Sequence, residues 1–153
     1  MRNVIITQQD YLQAVMSMLN KQPLKVYLFS FGLYAGCDGL VYDMLTSLDS
    51  CARAGVQVHV AIALPKTPQE RLLEDYSLLK DEYSCIRWKQ KVACHIKGIA
   101  AVYKRKRARL STYRACIGSR NLTASTWHEM DLLVTGKTAQ DVFMHMQKLW
   151  KES

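Results

Sequence analysis

The sequence contains no apolar run that approaches the length of about 18 residues needed to cross a membrane. Its first residues, 1–13, lack the apolar core and small-residue cleavage site of a secretory signal. None of its five cysteines is spaced C-x-x-C, which argues against a zinc site or a disulfide framework and favours a reducing cytoplasm. No cluster of carboxylates could hold a pair of Mg²⁺ ions. We therefore expect a cytoplasmic protein with no stable membrane association, no bound metal and no cofactor.

Positive charge is present in excess. The 153 residues include 21 lysines and arginines against 13 aspartates and glutamates, which gives a formal net charge of +8 at pH 7. The hydrophobic fraction of 49% is ordinary for a globular protein, and no repeat or low-complexity linker divides the chain. We expect one domain over residues 1–153 with a polyanion as its partner, nucleic acid first and an anionic membrane surface second.

The apolar pattern changes repeatedly between the strand period and the helix period. It predicts strands at residues 3–7, 24–31, 56–64, 85–89, 92–102, 110–117 and 130–135. It predicts helices at residues 7–20, 38–54, 69–83, 122–127 and from 137 onward. Alternating strands and helices are typical of α/β proteins, so we expect a mixed central sheet with helices on both faces.

A histidine and a lysine lie two residues apart in the predicted strand at 92–102. Alternate residues of a strand share a face, so His95 and Lys97 would present an imidazole and an ammonium on one side. Further along comes the segment 118–121, Gly-Ser-Arg-Asn, in which the glycine suits a tight turn and the polar residues suit a helix start. Backbone N–H groups at a helix start attract anions. Together these features indicate a phosphate site.

These residues resemble the HKD motif of the phospholipase D superfamily, in which H-x-K is followed by four further residues, then D, and later by G-S-x-N. The positions that match this pattern are His95, Lys97, Gly118, Ser119 and Asn121. Val102 occupies the place of the motif aspartate, and the interval before the glycine is longer than usual. The resemblance covers residues 24–150 and implies a phospholipase D-like fold with metal-free phosphodiester chemistry.

The resemblance also implies a role for each site residue. In the superfamily one histidine attacks phosphorus to form a phosphohistidine, a second protonates the leaving group, and water resolves the intermediate. His95 would be the nucleophile, while Lys97 and Asn121 would hold the non-bridging phosphate oxygens. Glu129 resembles the acid that the family places before its next strand, and it would orient His95. Ser119 would hydrogen-bond at the turn or to Glu129.

This mechanism needs two histidines, but the sequence has one copy of the motif. The other histidines, His59, His128 and His145, have no lysine two residues later. We therefore expect a homodimer in which His95 of each subunit meets at the two-fold axis, as in single-motif endonucleases of the superfamily. His59 alternates with valines in an apolar strand, and we interpret it as structural.

A run of cations follows the strand that carries the motif histidine. Together with the later turn, this run supplies the candidate nucleic-acid contacts, which are Lys104, Arg105, Lys106, Arg107, Arg109 and Arg120. Such runs are usually solvated turns. In a chain with this net charge and a phosphodiester site, we interpret them as contacts to backbone phosphates that do not depend on base sequence.

Three functions fit these observations. The first hypothesis is a metal-independent phosphodiesterase of nucleic acid, an endonuclease with little sequence preference, for which DNA is favoured over RNA. The alternative is a non-catalytic nucleic-acid-binding module of the same fold, and Val102 in place of the motif aspartate favours it. Lipid phosphodiester chemistry is disfavoured, because no membrane anchor is evident and two motifs per chain are usual for it.

Overall fold

The structure is a computed structural model that describes residues 3–30, 39–64, 70–92, 96–104, 111–118 and 130–152. Its strands are β1 (Val4–Thr7), β2 (Lys25–Ser30), β3 (Gln57–Leu64), β4 (Arg87–Val92), β5 (Gly98–Lys104), β6 (Ser111–Gly118) and β7 (Met130–Thr135). Its helices are α1 (Gln8–Asn20), α2 (Gly39–Arg53), α3 (Glu70–Glu82) and α4 (Gly136–Lys151). The described helices include none that is long and apolar enough to cross a membrane.

The strands form one mixed sheet in the order β1-β7-β6-β5-β2-β3-β4. β2, β3 and β4 are parallel to one another. β5 pairs antiparallel with β2 and with β6, and β7 pairs antiparallel with β6 and with β1. β5 and β6 therefore form the hairpin that the sequence predicts.

Helices cover both faces of this sheet. α1, α2 and α3 supply the buried apolar residues on one face, which we call the three-helix face. α4 packs on the other face, which we call the α4 face, through Ala139, Phe143 and Met146. The central strands are apolar on both sides because both of their faces are covered. The predicted fold class, α/β with a mixed sheet between two helical layers, is confirmed.

The predicted element positions agree with the structure to within a few residues, with one difference that concerns the motif. The sequence predicts that Lys97 lies inside a strand, but β5 begins at Gly98. The pairing of β5 with β2 starts at the pair Gly98 and Phe29, and β2 itself ends at Ser30, so residues before β5 have little strand to pair with. The predicted helix at 122–127 lies outside the described residues.

A buried hydrogen bond attaches α1 to the sheet. The hydroxyl of Tyr103 on β5 donates to the carbonyl oxygen of Met18 over 2.6 Å. Burial raises the pKa of Tyr103 to about 12, so the phenol keeps its proton at neutral pH. The bond shows that α1 packs against β5 on the three-helix face.

His59 lies in an aromatic cluster on the α4 face and is 4% exposed. Its ring stacks on Tyr27 with centroids 4.6 Å apart and meets Trp150 edge-on with centroids 4.8 Å apart. Burial, helped by the positive charges of Arg87 and Lys25, lowers the pKa of His59 to about 4. The imidazole is therefore neutral at pH 7, which agrees with its interpretation as a structural residue.

Acid should destabilise the protein through His59. An exposed histidine takes up a proton near pH 6.5, so between about pH 6.5 and pH 4 the unfolded chain binds a proton that the folded chain excludes. The free energy of unfolding should therefore fall across this window as pH is lowered, by up to about 3 kcal/mol from this residue. In His59→Phe, which keeps the stacked ring, denaturant unfolding should depend less on pH. A pH profile of His59→Phe that matched the wild-type profile would contradict the prediction.

Candidate active site

The strand ends that carry the motif meet at one edge of the sheet, which we call the site edge. β2, β3 and β4 end at this edge, and β5, being antiparallel to β2, begins there. β6 ends and β7 begins at the same edge because each reverses the direction of its neighbour. The site edge therefore carries Lys97 just before β5, Gly118 at the end of β6 and Met130 at the start of β7.

A backbone hydrogen bond joins the two parts of the motif at the site edge. The N–H of Gly118 donates to the carbonyl oxygen of Lys97 over 3.3 Å. This bond continues the β5–β6 register, in which Gly98 pairs with Ile117. The lysine of H-x-K and the glycine of G-S-x-N, which are separate in the sequence, are therefore adjacent in space.

Gly98 permits the close approach of β5 to β6 beside this bond. A Cβ atom at this position would lie 2.7 Å from the carbonyl oxygen of Cys116 and 3.1 Å from Cγ2 of Ile117. The nearer atom belongs to backbone, so a larger residue would have to push the strands apart. The absence of a side chain at Gly98 thus helps to position its neighbour Lys97.

Asp131 is a carboxylate beside the motif that the sequence pattern did not single out. It is 3% exposed and pairs with Gly118 across β6 and β7. Directly paired residues of antiparallel strands share a face of the sheet. Lys97 and Asp131 therefore lie on either side of Gly118, which has no side chain, and their Cα atoms are about 10 Å apart. The available signal was an acid inside an apolar strand, since acids are rarely buried without a partner or a function.

A groove of about 870 Å³ opens between α4 and the strands at the site edge. Its walls are mainly apolar and consist of Ile5, Ile96, Ile117, Leu132, Val142 and Met146. Lys97 adds a positively charged residue to this lining. The groove is thus able to hold an anionic group at its polar end with an apolar group alongside.

Polar residues line the groove from three parts of the chain. Lys97 and Asp131 line its sheet side, and Asp141 and His145 line it from α4. Asp141 also forms an ion pair with Lys137 at 2.8 Å, and both partners are mostly exposed. The sequence predicts α4 only as an amphipathic helix, so the proximity of its histidine to the site edge comes from the tertiary structure.

The sequence-predicted site residues fall into two groups. Of the predicted catalytic residues, the structure describes Lys97 at the groove. The others lie outside the described residues, as do most of the predicted nucleic-acid contacts; these are His95, Ser119, Asn121, Glu129, Arg105, Lys106, Arg107, Arg109 and Arg120. Within the described ranges, no three His, Cys, Asp or Glu side chains are grouped closely enough to share a metal ion.

Two described positions lie away from the site edge. Lys104 is the exposed last residue of β5, about 20 Å from Gly98 at the strand rise per residue. Val102, at the place of the motif aspartate, lies about 13 Å along β5 from the same glycine and packs against the core of the α4 face. The basic run therefore begins at the opposite end of the hairpin from Lys97.

Comparison with known protein families finds no family that matches this chain, and comparison with curated protein sequences also finds no match. Among solved structures, the chain is similar to polyphosphate kinase from Porphyromonas gingivalis, with a TM-score of 0.73 and 15% identity. The match covers 99% of this chain and 26% of the kinase chain. The chain has a phospholipase D-like fold.

A second similar structure is TrmBL2, described as an archaeal chromatin protein with a novel mode of DNA binding. The TM-score is 0.55 with 10% identity, and the match covers 99% of this chain and 53% of that one. The chain thus spans about a quarter of the first neighbour and about half of the second. At these identities the two matches establish the fold alone.

Replacing Gly98 with alanine should disturb both stability and the site edge. The added methyl group would overlap the carbonyl of Cys116, so we expect a loss of about 1–3 kcal/mol in the free energy of unfolding. The Gly118 amide should also exchange its hydrogen faster, because separation of the strands weakens its bond to Lys97. Urea unfolding and amide exchange measure the two effects. Unchanged stability with unchanged protection of that amide would show that the strands tolerate the methyl group.

Proposed function

We propose that this protein is a metal-independent phosphodiesterase of nucleic acid, a cytoplasmic endonuclease with little sequence preference that works as a homodimer. The observation that carries the proposal is the hydrogen bond from Gly118 to Lys97, which sets the two parts of the motif side by side. A lysine at a partly apolar groove is suited to bind the phosphate group. The turn that the sequence predicts after Gly118 would supply further donors.

The proposed reaction has two steps. A ring nitrogen of His95 attacks phosphorus and forms a P–N bond as the bond to the leaving oxygen breaks, and His95 of the partner subunit gives that oxygen a proton. Water then attacks phosphorus, the P–N bond breaks, and the partner's imidazole takes the proton from water. Lys97 and Asn121 hold the non-bridging oxygens, and Glu129 orients the nucleophile.

The departure from the motif at Val102 lies away from the proposed chemistry. The valine lies about 13 Å along β5 from Gly98 and packs in the core of the α4 face. A reacting group would have to lie within hydrogen-bonding distance of the phosphate. An apolar residue at Val102 is therefore a change in the core and not the loss of a catalytic group.

The two similar structures support the two parts of the proposal. One is a polyphosphate kinase, which is consistent with phosphoryl transfer on this fold, and the other is a DNA-binding chromatin protein, which is consistent with nucleic acid as the partner. The chromatin protein also favours the alternative function, a nucleic-acid-binding module without catalysis. Cleavage therefore has to be tested separately from binding.

Cleavage of plasmid and single-stranded DNA in excess EDTA separates these two functions. Wild type should cut in EDTA, and His95→Ala should lose at least about 10³-fold in rate because the nucleophile is absent. Lys97→Met keeps most of the length of the side chain but removes its charge, and the cleavage rate should fall about 10²-fold or more. Lys21→Met, which removes an exposed charge beside the three-helix face, is the matched control. DNA binding by a wild type that cuts nothing would favour the binding module.

Mixing subunits tests the composite site. If each active site needs His95 from both subunits, co-expression of equal amounts of wild type and His95→Ala should leave only about half of the wild-type subunits in active dimers. The activity per wild-type subunit should therefore fall in proportion to the wild-type fraction, as measured on differently tagged copies. An activity that stayed constant per wild-type subunit would place the nucleophile and the proton-transfer group in one chain, with His145 of the groove as the candidate for proton transfer.

A further inference from the structure

Charge is distributed unevenly over the two faces of the protein. The helices of the three-helix face together carry eight acidic and three basic residues, although the whole chain has a formal net charge of +8. The excess of cations therefore lies elsewhere. One part of it follows β4 and the last turn of α4, and we call this set the basic strip: Arg87, Lys89, Lys91, Lys148 and Lys151.

The three cations on β4 point to one side of the sheet. They alternate along the strand, so their Cα atoms are about 6.6 Å apart and their side chains share a face. Arg87 pairs with His59 and Lys89 pairs with Ala61, and both of these β3 residues lie on the α4 face. β4 is the last strand of the sheet, so this row of charge borders solvent.

The end of α4 lies against this row and adds to its charge. The Lys89 ammonium donates to the carbonyl oxygen of Trp150 over 2.6 Å, and Lys91 donates to the carbonyl oxygen of Glu152. A carbonyl group orients Lys89 without neutralising it, unlike a carboxylate. Lys148 and Lys151, three residues apart on the helix, are exposed on a shared face. Glu152 is the acidic residue at this end of α4, so cations predominate.

The strip reaches the site edge. A row of paired residues crosses the sheet from Gly98 through Phe29 and Ala61 to Lys89. Three strand spacings separate the ends of this row. Lys89 therefore lies about 14 Å from Gly98, the residue that follows Lys97. One strand of duplex nucleic acid carries a phosphate about every 3.4 Å of helix axis, so about four nucleotides span this distance.

We propose that the basic strip binds the phosphate backbone of a nucleic-acid strand whose neighbouring phosphate lies at the site edge. This inference rests on the proposed nucleic-acid substrate but not on cleavage. A regular row of cations on a strand matches the regular charge of a phosphate backbone. The acidic three-helix face repels the same polyanion and thereby fixes which side it approaches.

The competing explanation is that cations on β4 protect an edge strand from pairing with other chains. That role requires charge on the strand alone. It does not account for the exposed lysines in the last turn of α4 or for the acidic opposite face. The two explanations predict different results for the same variants.

The test compares two triple variants that each remove three positive charges. Arg87→Gln/Lys148→Gln/Lys151→Gln changes exposed members of the strip and keeps the two lysines that contact the end of α4. The matched control is Lys21→Gln/Arg71→Gln/Lys80→Gln, which changes exposed cations beside or on the three-helix face. Binding of a fluorescent oligonucleotide is measured by polarisation over a series of salt concentrations in the His95→Ala background, so that cleavage does not interfere.

The strip variant should bind at least about tenfold more weakly at low salt, and the slope of log K against log[salt] should fall by about 2–3. The control should keep the wild-type slope. A charge-preserving variant, Arg87→Lys/Lys148→Arg/Lys151→Arg, should also keep it, which excludes misfolding as the cause of weaker binding.

Three results would overturn the inference. Equal losses in the two triple variants would mean that net charge alone matters. Unchanged binding with new self-association of the strip variant would assign the cations to edge protection. Binding of the parent protein to anionic vesicles but not to the oligonucleotide would replace nucleic acid with a membrane surface, and would overturn the proposed substrate as well. By contrast, if the strip variant and the parent protein bound the oligonucleotide equally well, the inference about the strip would be wrong, but the proposed function would stand.

Discussion

The close pairing of β5 with β6 at Gly98 is the constraint on which the candidate site depends. No side chain fits there, because a Cβ would lie 2.7 Å from the carbonyl oxygen of Cys116. Since the strands approach closely at this point, the Gly118 amide reaches the carbonyl of Lys97. The same two strands fix their outer neighbours, β2 on one side and β7 on the other. The position of Asp131 beside the motif therefore follows from one backbone register.

Most of the fold could be predicted from the sequence because its strands and helices have different apolar periods. β2 and β3 are continuous apolar runs, since helices cover both of their faces, and such runs are recognisable without a structure. The start of β5 could not be predicted in this way, because it depends on where β2 ends. Asp131 and His145 were missed for a similar reason. Each approaches Lys97 through a register or a helix position that sequence separation does not reveal.

The cations show the same limit of sequence reasoning. The run that begins at the end of β5 is conspicuous because its charges are consecutive. Its first residue, Lys104, lies about 20 Å along the strand from Gly98. The lysines of β4 are separated by other residues and read as an ordinary polar strand. Their association with the end of α4 is a contact between residues 61 positions apart. Only the three-dimensional structure shows that the less conspicuous cations form a continuous surface with the last turn of that helix.

These distances bear on the size of the substrate. The fold alone does not decide the size of the substrate, since the two similar structures are a polyphosphate kinase and a DNA-binding chromatin protein. A small phosphodiester bound at Lys97 would be too short to reach Lys89, about 14 Å across the sheet, or Lys104, about 20 Å along the hairpin. Neither set of cations would then contribute to its binding. A polymer can contact the site edge and a distant cation at once, and each added contact releases counterions and strengthens binding at low salt. The wide separation of these charges is therefore an argument for a long polyanion over a small substrate.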